Sequence, residues 1–192
     1  MPEVLLFAED AGFAAVLNAL IQRIAREAGG EVVPKSLVAR RGYERVKREL
    51  REFIREVNRG YQPAPALLVV GVDANCKGAQ SRRQDLLEIV GDWEPFAVFA
   101  VAEPHVERWL LLDGQAFHRV VGAGCDLPDQ KCDTDRYKGL LRQAVRDAGV
   151  EPIAGGLEHA ERLMEEIDLD RAARLDRDFG QLVRELRQRL RS

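Results

Sequence analysis

The 192-residue chain contains no apolar run near the roughly 18 residues that would suggest a membrane span, and no contact with a membrane is expected. Its opening, Met1-Pro2-Glu3-Val4, lacks the basic segment and apolar stretch of a secretory signal, so a cytoplasmic protein is expected. It holds three cysteines, an odd number that makes no disulfide framework. Six residues separate Cys125 from Cys132, and zinc sites usually show closer pairs. There is no Gly-rich phosphate-binding loop and no Gly-x-Ser-x-Gly elbow, which argues against an ATPase and a serine hydrolase. An excess of positive charge is missing too. The net charge is −3 and the pI about 5.7, unlike a general nucleic-acid coat with a pI above ~9. Disorder is excluded in turn, because 46% of the residues are hydrophobic.

What is present is patterned. Residues 61–135 carry 6 Lys/Arg against 12 Asp/Glu, while the flanking segments are slightly basic, so the acid surplus lies wholly in the middle third. Val4–Ala8 is an apolar run too short for a helix and ends at Glu9-Asp10. Phe13, Val16, Leu17, Leu20, Ile21 and Ile24 then recur at three and four, the stripe of an amphipathic helix. A weaker strand is predicted over Val32-Val33 and Leu37-Val38, interrupted by Pro34, and a helix over Tyr43–Val57. Ala66–Val72 is continuously apolar, as in a strand covered on both faces, and runs into Asp73-Ala74-Asn75. A helix over Ser81–Val90 and a strand over Pro95–Val101 complete a β-α-β-α-β-α-β alternation. That order predicts an α/β fold with a mostly parallel sheet of about four strands. Helices alone follow, at Val106–Leu112, Arg136–Ala148, Leu157–Ile167 and Phe179–Leu190. One domain over residues 1–192 is expected, with an α/β core at 1–113 and a helical extension at 114–192.

Acidic residues follow three of the strands: Glu9-Asp10, Asp73 with Asn75, and Glu103 with Glu107. Parallel strands bring these ends to one edge, where converging carboxylates need a cation, and an all-oxygen set suits Mg²⁺ or Mn²⁺. Acids in such loops also cap helix N-termini, which is the plainer alternative for Glu9-Asp10 and Glu103. Trp109 is assigned to the core by its spacing, and His105 is read either as a ligand or base or, the commoner case, as a surface histidine beside Pro104.

The strand-Glu-helix opening resembles the Toprim-like superfamily. So do the strand ending Val72-Asp73-Ala74-Asn75 and the stretch Glu103-Pro104-His105-Val106-Glu107-Arg108-Trp109-Leu110-Leu111-Leu112-Asp113. The closer likeness is to a poorly characterised bacterial branch, related to overcoming-lysogenization-defect nucleases and found beside ATPases in phage-defence and mobile-element settings. Lys138-Gly139-Leu140-Leu141 and Phe179 resemble later features of that branch. The resemblance implies phosphodiester chemistry on nucleic acid, with Glu9 and Asp73 as catalytic residues and Glu9, Asp73, Asn75 and Glu107 around Mg²⁺ or Mn²⁺. Asn75 stands where the family has a second Asp, which removes one charge from the metal site.

Basic residues supply candidate phosphate contacts. Lys77, Arg82 and Arg83 follow the Asp73 turn directly, and Arg40–Arg59 holds eight Lys/Arg against four Glu. The second group makes either a phosphate-neutralising face or a solvated helix face with i,i+4 pairs. The leading expectation is a metal-dependent nuclease, with DNA or RNA as substrate and an ATPase as partner in a defence module. A catalytically inactive module that binds an ATPase or nucleic acid is the alternative. A receiver-like phosphoacceptor at Asp73 is a further one, disfavoured by Ala100-Val101-Ala102 at the fourth strand's end and by the absence of a following Lys.

Overall fold

Short apolar runs form strands here because helices cover both faces of a central sheet. A computed structural model describes residues 3–39, 42–133 and 135–191. Strands β1 (Val4–Ala8), β2 (Lys35–Val38), β3 (Leu67–Asp73) and β4 (Ala97–Ala102) pair in the order β2-β1-β3-β4, all parallel. β1, β3 and β4 are buried along their whole length, whereas β2 is a largely exposed edge. The architecture is the expected one: a parallel sheet flanked by helices, with a C-terminal helical region.

Chain order places the helices. β1 reaches β2 on one side through α1 (Ala11–Glu27), whereas α2 (Tyr43–Asn58) and α3 (Ala79–Val90) lead to β3 and β4 on the other. A single crossover hand then puts α1 on one face of the sheet and α2 with α3 on the opposite one. The side chains agree. Leu6, Val69 and Val98 join α1 in one apolar cluster, and Phe7, Val70 and Phe99 join α2 and α3 in the other. The order reverses between β1 and β3, and in open α/β sheets ligands bind beyond the strand C-termini at such a point.

The α1 face is also covered by the helical region. α9 (Arg177–Leu190) packs on β4 and α1, and α7 (Ala160–Glu166) on α1. Trp109, fully buried as expected, joins these layers. Its ring meets Phe13 of α1 edge-on at 5.8 Å and Phe179 of α9 at 5.4 Å. Close packing of α1 on β3 requires Gly71, since a Cβ there would lie 2.5 Å from Leu17 and 2.8 Å from Phe13.

Several boundaries differ from the sequence reading. Val32-Val33 lie outside β2, and Pro95-Phe96 belong to a 3-10 turn (Gly91–Phe96) that precedes β4. The helix expected at Val106–Leu112 is a single turn, α4 (Glu107–Leu110), followed by an unforeseen α5 (Gly114–Val121). α6 (Arg136–Asp147) is close to its expected span. Leu157–Ile167 divides into a 3-10 turn (Leu157–His159) and α7, and a further short helix, α8 (Leu169–Leu175), precedes α9.

Candidate metal centre

Asp73 ends β3 with its side chain on the α1 face, by the same alternation that points Val69 and Gly71 that way. It is only 6% exposed, and both carboxylate oxygens are engaged. Oδ1 accepts the Val106 amide at 2.9 Å, and Oδ2 lies 2.7 Å from His105 Nδ1. His105 is 3% exposed, not at the surface as its place beside Pro104 suggests. Pro104 follows a cis peptide bond, and its carbonyl accepts the Asn75 amide. Glu107, in the first turn of α4, is 5% exposed. One ligand atom from each of Asp73, His105 and Glu107 lies within 4.8 Å of the other two.

Two atoms of this cluster are left over. Among the described residues, His105 Nε2 and Glu107 Oε2 are buried without a hydrogen-bond partner, a costly state for polar atoms unless a ligand completes them. With Nδ1–H donating to Asp73, His105 presents the Nε2 lone pair, as metal-binding imidazoles held by a carboxylate do. The free donors, the His105 imidazole and the Glu107 carboxylate, fit a divalent cation, with Asp73 behind the imidazole adding negative charge. These residues can hold a metal ion.

Electrostatics points the same way. Burial pushes the carboxyl of Asp73 up, against the pull of His105 and the Val106 amide. Burial and then the Asp73 charge raise Glu107. Burial alone would lower His105, but hydrogen bonding and charge from Asp73 raise it above its usual range. Glu9 is also raised, chiefly by burial. A site that prefers protons when empty gains most from a cation that replaces them.

The residues singled out from sequence fall at different distances from this cluster. Of Glu9, Asp73, Asn75 and Glu107, Asp73 and Glu107 meet within it. Glu9 stands beside it, with Oε2 accepting the Asp73 amide at 3.0 Å. Asn75 has left-handed backbone (φ 51°), and its amide nitrogen donates to the Asp73 carbonyl at 3.3 Å. Arg82 stacks on the Tyr43 ring at 3.7 Å, donates to the Ala74 carbonyl at 3.4 Å and acts on the Glu9 carboxylate. Lys77 is exposed. Arg83 turns elsewhere: it pairs with Glu185 of α9 at 3.2 Å and donates to the Phe99 carbonyl at 2.9 Å. On α2, Arg48, Arg51, Arg55 and Arg59 are exposed, while Arg45 pairs with Glu49 and Lys47 with Glu44. Arg40 and Arg41 lie outside the described residues.

No family model, curated protein or solved structure matches the chain. The site is therefore read from its own atoms. His105 is the ligand candidate that the sequence ranked below a surface histidine. The available signal was its position: it lies three residues beyond β4, at the same sheet edge as Glu9 and Asp73. Glu103, with the same address, serves differently. Its Oε1 accepts the Cys76 amide at 3.1 Å, at the turn leading into α3.

Proposed function

We propose that the chain is a Toprim-like, metal-dependent phosphodiester-processing protein that acts on nucleic acid. The observation that carries this reading is the pair of unpartnered buried atoms, His105 Nε2 and Glu107 Oε2, beside Asp73 at the C-terminal edge of a parallel sheet. The imidazole favours Mn²⁺ over Mg²⁺ as occupant, since Mg²⁺ prefers oxygen donors and keeps more of its water. A bound divalent cation would polarise a phosphoryl oxygen or activate water.

The protein's own groups supply the rest. Asp73 orients His105 and fixes its tautomer. Glu9, half-buried and with a raised carboxyl, is placed to take up or release a proton at the same edge. Arg82, held flat on Tyr43, and the exposed Lys77 offer positive charge to a phosphate entering from solvent. The exposed arginines of α2 extend that charge along the helix that starts next to Glu9, where a Cβ on Gly42 would lie 3.7 Å from the Glu9 carboxylate. Asp73 as a phosphoacceptor fits less well, because both its oxygens are buried and engaged.

Cleavage assays on single- and double-stranded DNA and RNA, with Mn²⁺ or Mg²⁺, test the proposal. Wild type should cleave at least one substrate, while Glu9→Gln and Asp73→Asn should lose about 10²-fold or more in rate, the scale of general acid–base assistance. Cleavage that both variants retain in full would refute the assignment. Metal binding with no cleavage on any substrate would leave the inactive binding module.

A further inference from the structure

A second group of metal-binding side chains lies outside the centre described above. Cys76 follows the Asp73-Ala74-Asn75 turn, and Cys132 comes from the loop between α5 and α6. Their sulfurs are joined in a disulfide, with Cα atoms 5.5 Å apart. The sequence gives no hint of this link, since the two lie 56 positions apart. Glu103 lies against the pair. Its carboxylate and the two sulfurs lie within 4.8 Å of one another, Oε1 being 3.5 Å from Cys132 Sγ.

The Cys76 amide and the backbone of Gly78 and Ala79 hold this carboxylate at the start of α3, and the oxidised sulfurs add no bond to it. A disulfide sulfur carries no proton, so the approach of Oε1 to Cys132 gains no hydrogen bond in that form. The other oxygen, Glu103 Oε2, is buried, and among the described residues it makes no close hydrogen bond, although the Gly78 and Ala79 backbone acts on the carboxylate. A neutral disulfide needs no negative group beside it, whereas two thiolates and a carboxylate make a donor set for a thiophilic cation. A cavity of about 140 Å³ opens on the same spot, lined by Glu103, Cys132, Lys131 and Arg177 among others. It has room for a water molecule as fourth ligand. Lys131 and Arg177 would offset the residual negative charge.

We infer that Cys76, Cys132 and Glu103 form a second metal site, which takes Zn²⁺ or a similar thiophilic divalent cation when the cysteines are reduced. The disulfide is the metal-free, oxidised state of that site. Binding Zn²⁺ displaces the two thiol protons into solvent. Closing the disulfide removes two electrons and two protons from the thiols, which a disulfide oxidant such as oxidised glutathione accepts as it becomes two thiols. Cys125 takes no part: its sulfur donates to the Leu111 carbonyl at 3.8 Å, and burial pushes its thiol up to about 11.

The test uses the full chain, reduced by a phosphine, freed of reductant without air, and titrated with Co²⁺ and then Zn²⁺. The expected result is a sulfur-to-cobalt charge-transfer band that saturates with one Co²⁺ at the cysteine site, apart from any Co²⁺ at His105 and Glu107, bleached by Zn²⁺ and absent from the oxidised protein. Cys76→Ser and Cys132→Ser should lose the band, His105→Ala and Cys125→Ser should keep it, and Glu103→Gln should weaken binding at least about tenfold. In unmutated protein, Zn²⁺ should protect Cys76 and Cys132 from alkylation, read by mass spectrometry. No charge-transfer band in the reduced wild type, or alkylation unaffected by Zn²⁺, would overturn the inference. So would a band that survives both serine variants, or Glu103→Gln binding as wild type does. A reduced chain that unfolds and does not recover on adding Zn²⁺ would also overturn it.

Discussion

Glu107 sits in the first turn of α4 with one oxygen that no donor reaches, and the fold bears the cost. Its carboxyl is raised by burial and by Asp73. A group whose folded pKa lies above the unfolded value stabilises only below that unfolded value, and the contribution is lost as pH rises through the folded one. At neutral pH the Glu107 charge therefore opposes folding of the metal-free protein. Glu107→Gln should melt higher than wild type in chelator at pH 7, and the gap should close near pH 4. The same variant should lose the stabilisation that Mn²⁺ gives wild type. Calorimetry at the two pH values, with and without Mn²⁺, reads all three outcomes. The sequence placed Glu107 among the ligands but ranked His105 as a surface residue ahead of a ligand. Residue type and spacing do not tell a buried imidazole from an exposed one when the deciding contact, Asp73 Oδ2, is 32 residues away. Asn75 shows the converse: its place two residues after Asp73 suggested a ligand, yet left-handed backbone brings its amide nitrogen to the Asp73 carbonyl.

At the scale of elements, the stretch from Glu103 to Asp113 is a junction between sheet and helices. Glu103 meets the turn before α3, His105 and Glu107 line the site, and Trp109 joins α1 to α9. Arg108, 3% exposed, pairs with the equally buried Asp176, whose other oxygen accepts the Phe179 amide at the start of α9. Asp176→Ala leaves that guanidinium buried without its carboxylate, and urea unfolding should show a loss of about 3–5 kcal/mol. Asp113 caps α5 through the amides of Gln115 and Ala116, accepts the Asp168 amide at the start of α8, and pairs with Arg171. Burial alone would raise its carboxyl, but these partners hold it below the usual range. Its contribution is therefore present above the ordinary Asp value near 3.8 and is lost as pH falls through the lower folded value. Asp113→Ala should cost about 1–2 kcal/mol at neutral pH, a deficit that shrinks towards pH 3 in urea titrations.

The same elements show what was legible. β1, β3 and β4 were readable because continuous apolar runs are what strands covered on both faces require. α1 and α2 were readable because several turns repeat their apolar stripe. α5 and α8, at eight and seven residues, are too short for periodicity to stand out, although their capping residues Asp113 and Asp168 were in view.

At the scale of the molecule, the acid surplus of the middle third resolves into distinct uses. Asp73 and Glu107 line the candidate centre, Glu103 faces the cysteine pair, and Asp113 joins two helices. Asp129, in the loop between α5 and α6, pairs with Arg136 at 2.8 Å, and its carbonyl accepts from Tyr137 and Arg108. A negative average charge is compatible with handling a polyanion, because the arginines of α2 are exposed while Asp73, Glu107 and Asp113 are buried. Trp109 binds the two regions into one apolar cluster. Trp109→Ala should lose about 3–5 kcal/mol, a drop of roughly 10 °C in Tm for a chain of this size, in a transition that remains single.

The account rests on a cation meeting His105 and Glu107, and Mn²⁺ titration followed by electron paramagnetic resonance tests it most directly. Oxidised protein, with the cysteine pair closed, should bind one Mn²⁺. His105→Ala and Glu107→Gln should each weaken that binding at least about tenfold, and Arg119→Ala, on the far surface, should leave it unchanged. Wild type that binds no Mn²⁺, or variants that bind it as tightly as wild type, would contradict the account.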